Sequence, residues 1–127
     1  MRKFKERVIK AIDNYQRKRA IKNHRKMWHW LAENPYRSKL NYLLKYGGPL
    51  LNGCYLCDYA ARATARDGVE KSFMCVYCPL DWAGKECKGN NSLFNSWVDE
   101  RLMPHIDEQK ITEIALQIAE LPEKVEK

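Results

Sequence analysis

Cys54-Tyr55-Leu56-Cys57 and Cys75-Val76-Tyr77-Cys78 are the residues of this chain best equipped for chemistry. Two cysteines three positions apart can present both sulfurs to one ion, and two such pairs complete a tetrahedral four-sulfur shell. Seventeen residues separate the pairs, within the interval of about 15 to 20 that structural zinc sites use. Gly53 and Pro79 flank them as loop residues should. The spacing predicts Zn2+ held by Cys54, Cys57, Cys75 and Cys78. Iron in the same shell, two disulfides in an oxidising compartment, or four buried thiols are the alternatives. A four-thiolate shell has no open position, so such a metal contributes folding energy and does no chemistry.

Cys87 stands nine positions after Cys78. Two complete pairs already satisfy the metal, so Cys87 reads as a buried thiol, with replacement of one ligand as the alternative. His24, His29 and His105 lie at no ligand spacing from any cysteine, and each reads as a core or surface histidine. The segment from Cys54 to Cys87 contains no histidine, which argues against a histidine-metal nuclease. No G-x-x-x-x-G-K, G-x-G-x-x-G, G-x-S-x-G or H-E-x-x-H occurs. The expectation is a protein without catalytic residues, not an enzyme, with no small-molecule substrate.

Charge is the second chemical feature. The net is +7, but residues 1–53 hold 14 Lys and Arg against 3 Asp and Glu, and residues 54–127 hold 9 against 13. The steepest run contains Arg17, Lys18, Arg19, Lys22, Arg25 and Lys26. Such asymmetry suggests that one half meets a polyanion or an acidic surface. A solvated helix whose basic side chains only keep the protein soluble is the alternative. Tyr15, Trp28, Trp30 and Tyr36 could stack on bases if exposed. Trp28 and Trp82 are expected in the core instead.

These groups need elements to hold them. At 127 residues, 45% apolar and 31% charged, the chain reads as one globular domain, two at most. No apolar run approaches the roughly 18 residues of a membrane span, and Met1-Arg2-Lys3-Phe4-Lys5 lacks a secretory apolar core. The expectation is a cytoplasmic chain with reduced thiols and no membrane partner. Phe4, Val8, Ile12 and Tyr15 line one face of a helix. A second register, Ala20, His24, Met27 or Trp28, and Leu31, is shifted in phase. That shift implies either a kink near Asn23 or one long helix whose middle is exposed between two docking faces. Asn34-Pro35 ends the pattern.

Ser38 caps a short helix carrying Leu40, Leu43 and Leu44, with Gly47 as a left-handed C-terminal cap. The alanines between Asp58 and Arg66 favour a helix over one arm of a zinc-ribbon hairpin. Asp67-Gly68 is a turn, and Val69 to Met74 is expected as a brief strand. Gly89-Asn90-Asn91-Ser92 leads into a helix through Leu93, Phe94, Trp97, Val98 and Leu102. The last helix places Ile111, Ile114, Ala115, Ile118 and either Ala119 or Leu121 on one face, closed by Pro122. The fold class expected is mainly α: a small helical domain built around a four-cysteine zinc knuckle pair, with a long basic N-terminal helix. The expected division is 1–34, a basic helical arm, and 35–127, a zinc-stabilised helical domain.

Gly53-Cys54-Tyr55-Leu56-Cys57-Asp58-Tyr59-Ala60 and Cys75-Val76-Tyr77-Cys78-Pro79-Leu80-Asp81-Trp82, with Leu93-Phe94-Asn95-Ser96-Trp97 after and Met27 to Pro35 before, resemble small cysteine-rich proteins encoded by phages and prophages of Gram-positive bacteria. The likeness covers residues 24 to 122. It implies a bacterial host cytoplasm and an accessory role, such as binding a host or defence protein, but no activity. Residues and resemblance together suggest a regulatory binding protein whose basic helix engages nucleic acid or a nucleoprotein complex. The alternative is a phage-encoded inhibitor that acts by direct protein–protein binding.

Overall fold

A computed structural model of the chain describes residues 2–47, 54–82, 87 and 92–124. They form α1 (Arg2–Glu33), α2 (Lys39–Tyr46), α3 (Tyr55–Asp67), a 3-10 helix (Lys71–Tyr77), α4 (Leu93–Arg101) and α5 (Glu108–Ala119). The expected mainly α class holds, and among the described residues there is no strand, only an antiparallel bridge between Leu80 and Glu123. None of the described helices is long and apolar enough to cross a membrane. Gly53 and the expected loop at Gly89 to Asn91 lie outside the described residues.

Neither glycine nor proline interrupts Arg2 to Glu33, and α1 runs unbroken until Asn34-Pro35. The side-chain amide of Asn34 donates to the Trp30 carbonyl at 2.8 Å and closes the helix end. Its two apolar registers fall on opposite sides, since successive residues turn by about 100°. Phe4, Val8, Ile12 and Tyr15 are exposed, whereas Ala20, His24, Met27, Trp28 and Leu31 are buried. Of the two alternatives the single long helix holds, and its middle is exposed on the side of Lys18, Arg19, Lys22 and Lys26 and buried on the side of Ala20, Ile21 and His24.

The chain forms two compact units, Met1–Asn23 with Leu50–Pro79, and His24–Pro49 with Leu80–Lys127. This partition differs from the 1–34 and 35–127 division that composition suggests. The reason is that α1 serves both units: its earlier part docks on α3 and its later part on α5.

In the first unit, Arg66 near the end of α3 meets Asp13, and Tyr55 at its start shares a groove with Asn23. The two helices thus run antiparallel. Ala20, Tyr59 and Ala63 pack together with Tyr77 against them. Gly68 ends α3 at φ +68°, a conformation that favours glycine. The Val69 amide donates back to the Thr64 carbonyl at 2.9 Å and the Gly68 amide to Ala65, a Schellman closure. The chain then continues as the 3-10 helix, not the strand expected over Val69 to Met74. Phe73 and Val76 are exposed in it, so their β propensity is not used.

In the second unit, α5 lies antiparallel to the last turns of α1: Thr112 donates to the Ala32 carbonyl at 2.9 Å, and Arg25 to Leu121 at 3.2 Å. Ile111, Ile114, Ala115, Ile118, Ala119 and Leu121 are all buried, which fulfils the expected stripe. Trp28 and Trp97 meet edge to face at 4.8 Å between centroids. Ser38 caps α2 through a reciprocal bond with Asn41, yet Leu40 and Leu44 are exposed and Tyr42 is the buried residue. The helix docks through its tyrosine edge, with Tyr42 and Tyr46 both against Trp30. Gly47 is extended rather than left-handed. Ser92 and Asp107 cap α4 and α5 as their side chains allow.

Candidate nucleic-acid interface and cysteine pairs

Cys54 is the N-cap residue of α3 and Cys57 lies in its first turn, while Cys75 and Cys78 lie at the end of the 3-10 helix. Each pair has a turn suited to presenting two sulfurs: the Cys78 amide donates to the Cys75 carbonyl at 3.2 Å, and the Asp58 amide to Cys54 at 3.0 Å. Among the described residues, no three His, Cys, Asp or Glu side chains gather as a metal-holding group. Cys75 is exposed and the other three are half-buried, and no disulfide joins any of the five cysteines. Cys87 belongs to the second unit and the four paired cysteines to the first. His29 and His105 are exposed, and His24 is a core residue.

The six basic residues divide by face. Lys18, Arg19, Lys22 and Lys26 are exposed, and among the described residues none of them forms an ion pair. Arg17 and Arg25 are half-buried and donate to the Pro79 carbonyl at 3.4 Å and to the Leu121 carbonyl at 3.2 Å. These two arginines therefore direct donors to backbone carbonyls. Tyr15 and Tyr36 are exposed, Trp28 is buried, and Trp30 is half-buried between tyrosines. Trp82 stacks edge-on to His24 with its indole nitrogen buried.

Beside Arg19, a groove of about 520 Å3 opens between α1 and α3. Tyr15, Arg19 and Asn23 line it from α1, and Tyr55, Asp58 and Arg62 from α3. Its position is set by a polar latch further along the same helices. The Asp13 carboxylate accepts from the Arg66 guanidinium at 2.6 Å and from the Tyr59 hydroxyl at 2.8 Å. Arg66 also bonds Asp67 at 3.0 Å, and the Tyr77 hydroxyl donates to Asp67 at 3.1 Å. Arg66 holds the Asp67 carboxyl below its usual range. Burial, reinforced by Asp13, pushes the Tyr59 phenol up.

Sequence reasoning missed both groove and latch. The partners lie 46 and 53 residues apart in the chain, and neither composition nor periodicity joins them. One signal was available: Asp13 is an acid inside a strongly basic stretch. No family, curated protein or solved structure matches the chain.

Proposed function

We propose that this protein is a non-enzymatic regulatory binding protein that engages nucleic acid, or a nucleoprotein complex, through the basic surface of α1. The observation that carries the reading is the set of exposed cations, Lys18, Arg19, Lys22 and Lys26, without ion-pair partners among the described residues. Cations on one helix can neutralise successive phosphates and release counterions, giving affinity with little sequence information. Arg17 and Arg25 contribute to the local field, but their direct bonds go to carbonyl groups.

Structural zinc on Cys54, Cys57, Cys75 and Cys78 belongs to this reading on the strength of spacing and thiol chemistry alone. It requires the start of α3 and the end of the 3-10 helix to close on one ion. The basic surface does not depend on it.

The test is affinity of the full chain for a duplex across roughly 50 to 300 mM salt. With four phosphates neutralised, log K should fall against log salt with a slope of about −3.6. Absence of binding at the lowest salt ends the reading.

A second reading is an inhibitor, in the phage setting that the resemblance implies, acting by direct contact with a host or defence protein. It is favoured by the exposed stripe of Phe4, Val8, Ile12 and Tyr15, since a contiguous apolar face marks an interaction surface. Partners that stay bound after nuclease digestion favour this second reading over the first.

A further inference from the structure

The groove between α1 and α3 has a composition that a purely electrostatic duplex surface does not need. Each wall carries one tyrosine and one arginine: Tyr15 and Arg19 from α1, Tyr55 and Arg62 from α3. Tyr15 is 65% exposed, a large aromatic ring left in solvent at the mouth of a concavity. Among the described residues, neither arginine forms an ion pair. Arg62 is exposed, and its Nε donates to the Asp58 carbonyl in its own helix at 3.4 Å. Gln16, Asn23 and Asp58 also line the groove and are half-buried. The side-chain amides of Gln16 and Asn23 can pair with the polar edge of a heterocycle.

We infer that this groove takes one unstacked base of a single-stranded nucleic acid, an inference that rests on the nucleic-acid reading above. The volume of about 520 Å3 lies within the roughly 300 to 1,000 Å3 of small-ligand pockets and suits a nucleotide. Aromatic rings stack on any base through its π-face, so single strands are held with little sequence preference. A base paired inside a duplex cannot offer that face. Arg19 and Arg62 meet the flanking phosphates, and Lys18 and Lys22 extend the same charge along α1. The half-buried amides of Gln16 and Asn23 are therefore suited to the base and the exposed arginines to the backbone.

The experiment compares a single-stranded DNA 12-mer with its duplex, at equal low salt, by fluorescence anisotropy on the full chain. The expected result is tighter binding of the single strand, with Tyr15→Ala weakening it about five- to a hundred-fold and leaving duplex affinity unchanged. Tyr15→Phe, which keeps the ring, should restore single-strand affinity. Lys22→Ala should weaken both ligands together. Equal affinities, with Tyr15→Ala without effect on either, overturn the groove inference and leave the electrostatic reading standing. Absence of binding to both ligands overturns the two together and points to the protein partner.

Discussion

His24 shows how one side chain can carry pH dependence without touching a ligand. It is 1% exposed, and with its Nε2–H donating to the Ile118 carbonyl at 3.1 Å, Nδ1 is buried with no partner. Burial, with Lys39 and Arg25 adding repulsion and the Ile118 bond opposing, pushes its pKa down to about 4. The folded protein thus holds the neutral ring, whereas the unfolded chain takes a proton near 6.5. The contribution to stability is complete above pH 6.5, drains as pH falls, and is gone below about 4. The whole span is on the order of 3 kcal/mol, and at pH 5 about 2 kcal/mol is already lost. His24→Gln keeps a donor for Ile118 and does not titrate. Urea unfolding at pH 7 and pH 5 should show wild type losing about 2 kcal/mol more than this variant. Equal losses would remove His24 from the account. The sequence presents His24 only as a core or surface histidine; its environment depends on Trp28, Trp82 and α5, up to 94 residues away.

At the scale of elements, the pairing of α3 with α1 rests on small side chains plus one latch. Ala20, Ala60 and Ala63 allow close approach and bury little apolar area each, Leu56 and Tyr59 bury more, and the bonds of Asp13 to Arg66 and Tyr59 add polar contacts across the two helices. Arg66 remains about one-third exposed at its side chain, which limits the ion pair through solvent screening. A double-mutant cycle with Asp13→Ala and Arg66→Ala should return a coupling of about 0.5 to 1 kcal/mol in urea unfolding. Strict additivity would mean that the contact does not hold the helices. The helix over Tyr55 to Asp67 was legible because alanine favours helix intrinsically. The 3-10 helix was not: Val69, Phe73 and Val76 read as strand formers, but no strand among the described residues lies beside them to pair with. The six basic residues were legible as a set, yet which four face solvent depended on where α3 and α5 dock. Likewise the cysteine spacing could be read directly, while how close the two pairs come is decided by tertiary placement.

At the scale of the molecule, the two units differ in what holds them. The second buries Met27, Trp28, Leu31, Trp97, Ile111, Ile114 and Ile118, large side chains that sustain a core. The first relies among its described residues on Ile21, Leu56, Tyr59 and several alanines. Small units with little apolar burial commonly need a metal or crosslinks, and all four cysteines of the proposed zinc site lie in this one. A structural zinc would contribute folding energy where the apolar core is thinnest. All four tryptophans, at 28, 30, 82 and 97, lie in the other unit, so the two can be followed separately. Elemental analysis should find about one zinc per chain, and Cys54→Ser or Cys78→Ser should abolish it, whereas Cys87→Ser should not. A strong chelator should then reduce the far-ultraviolet helical signal while tryptophan emission stays near its native position. A chain without zinc, or a helical signal indifferent to both chelator and Cys54→Ser, would leave the first unit held by its alanine-packed helices and the Asp13 latch alone.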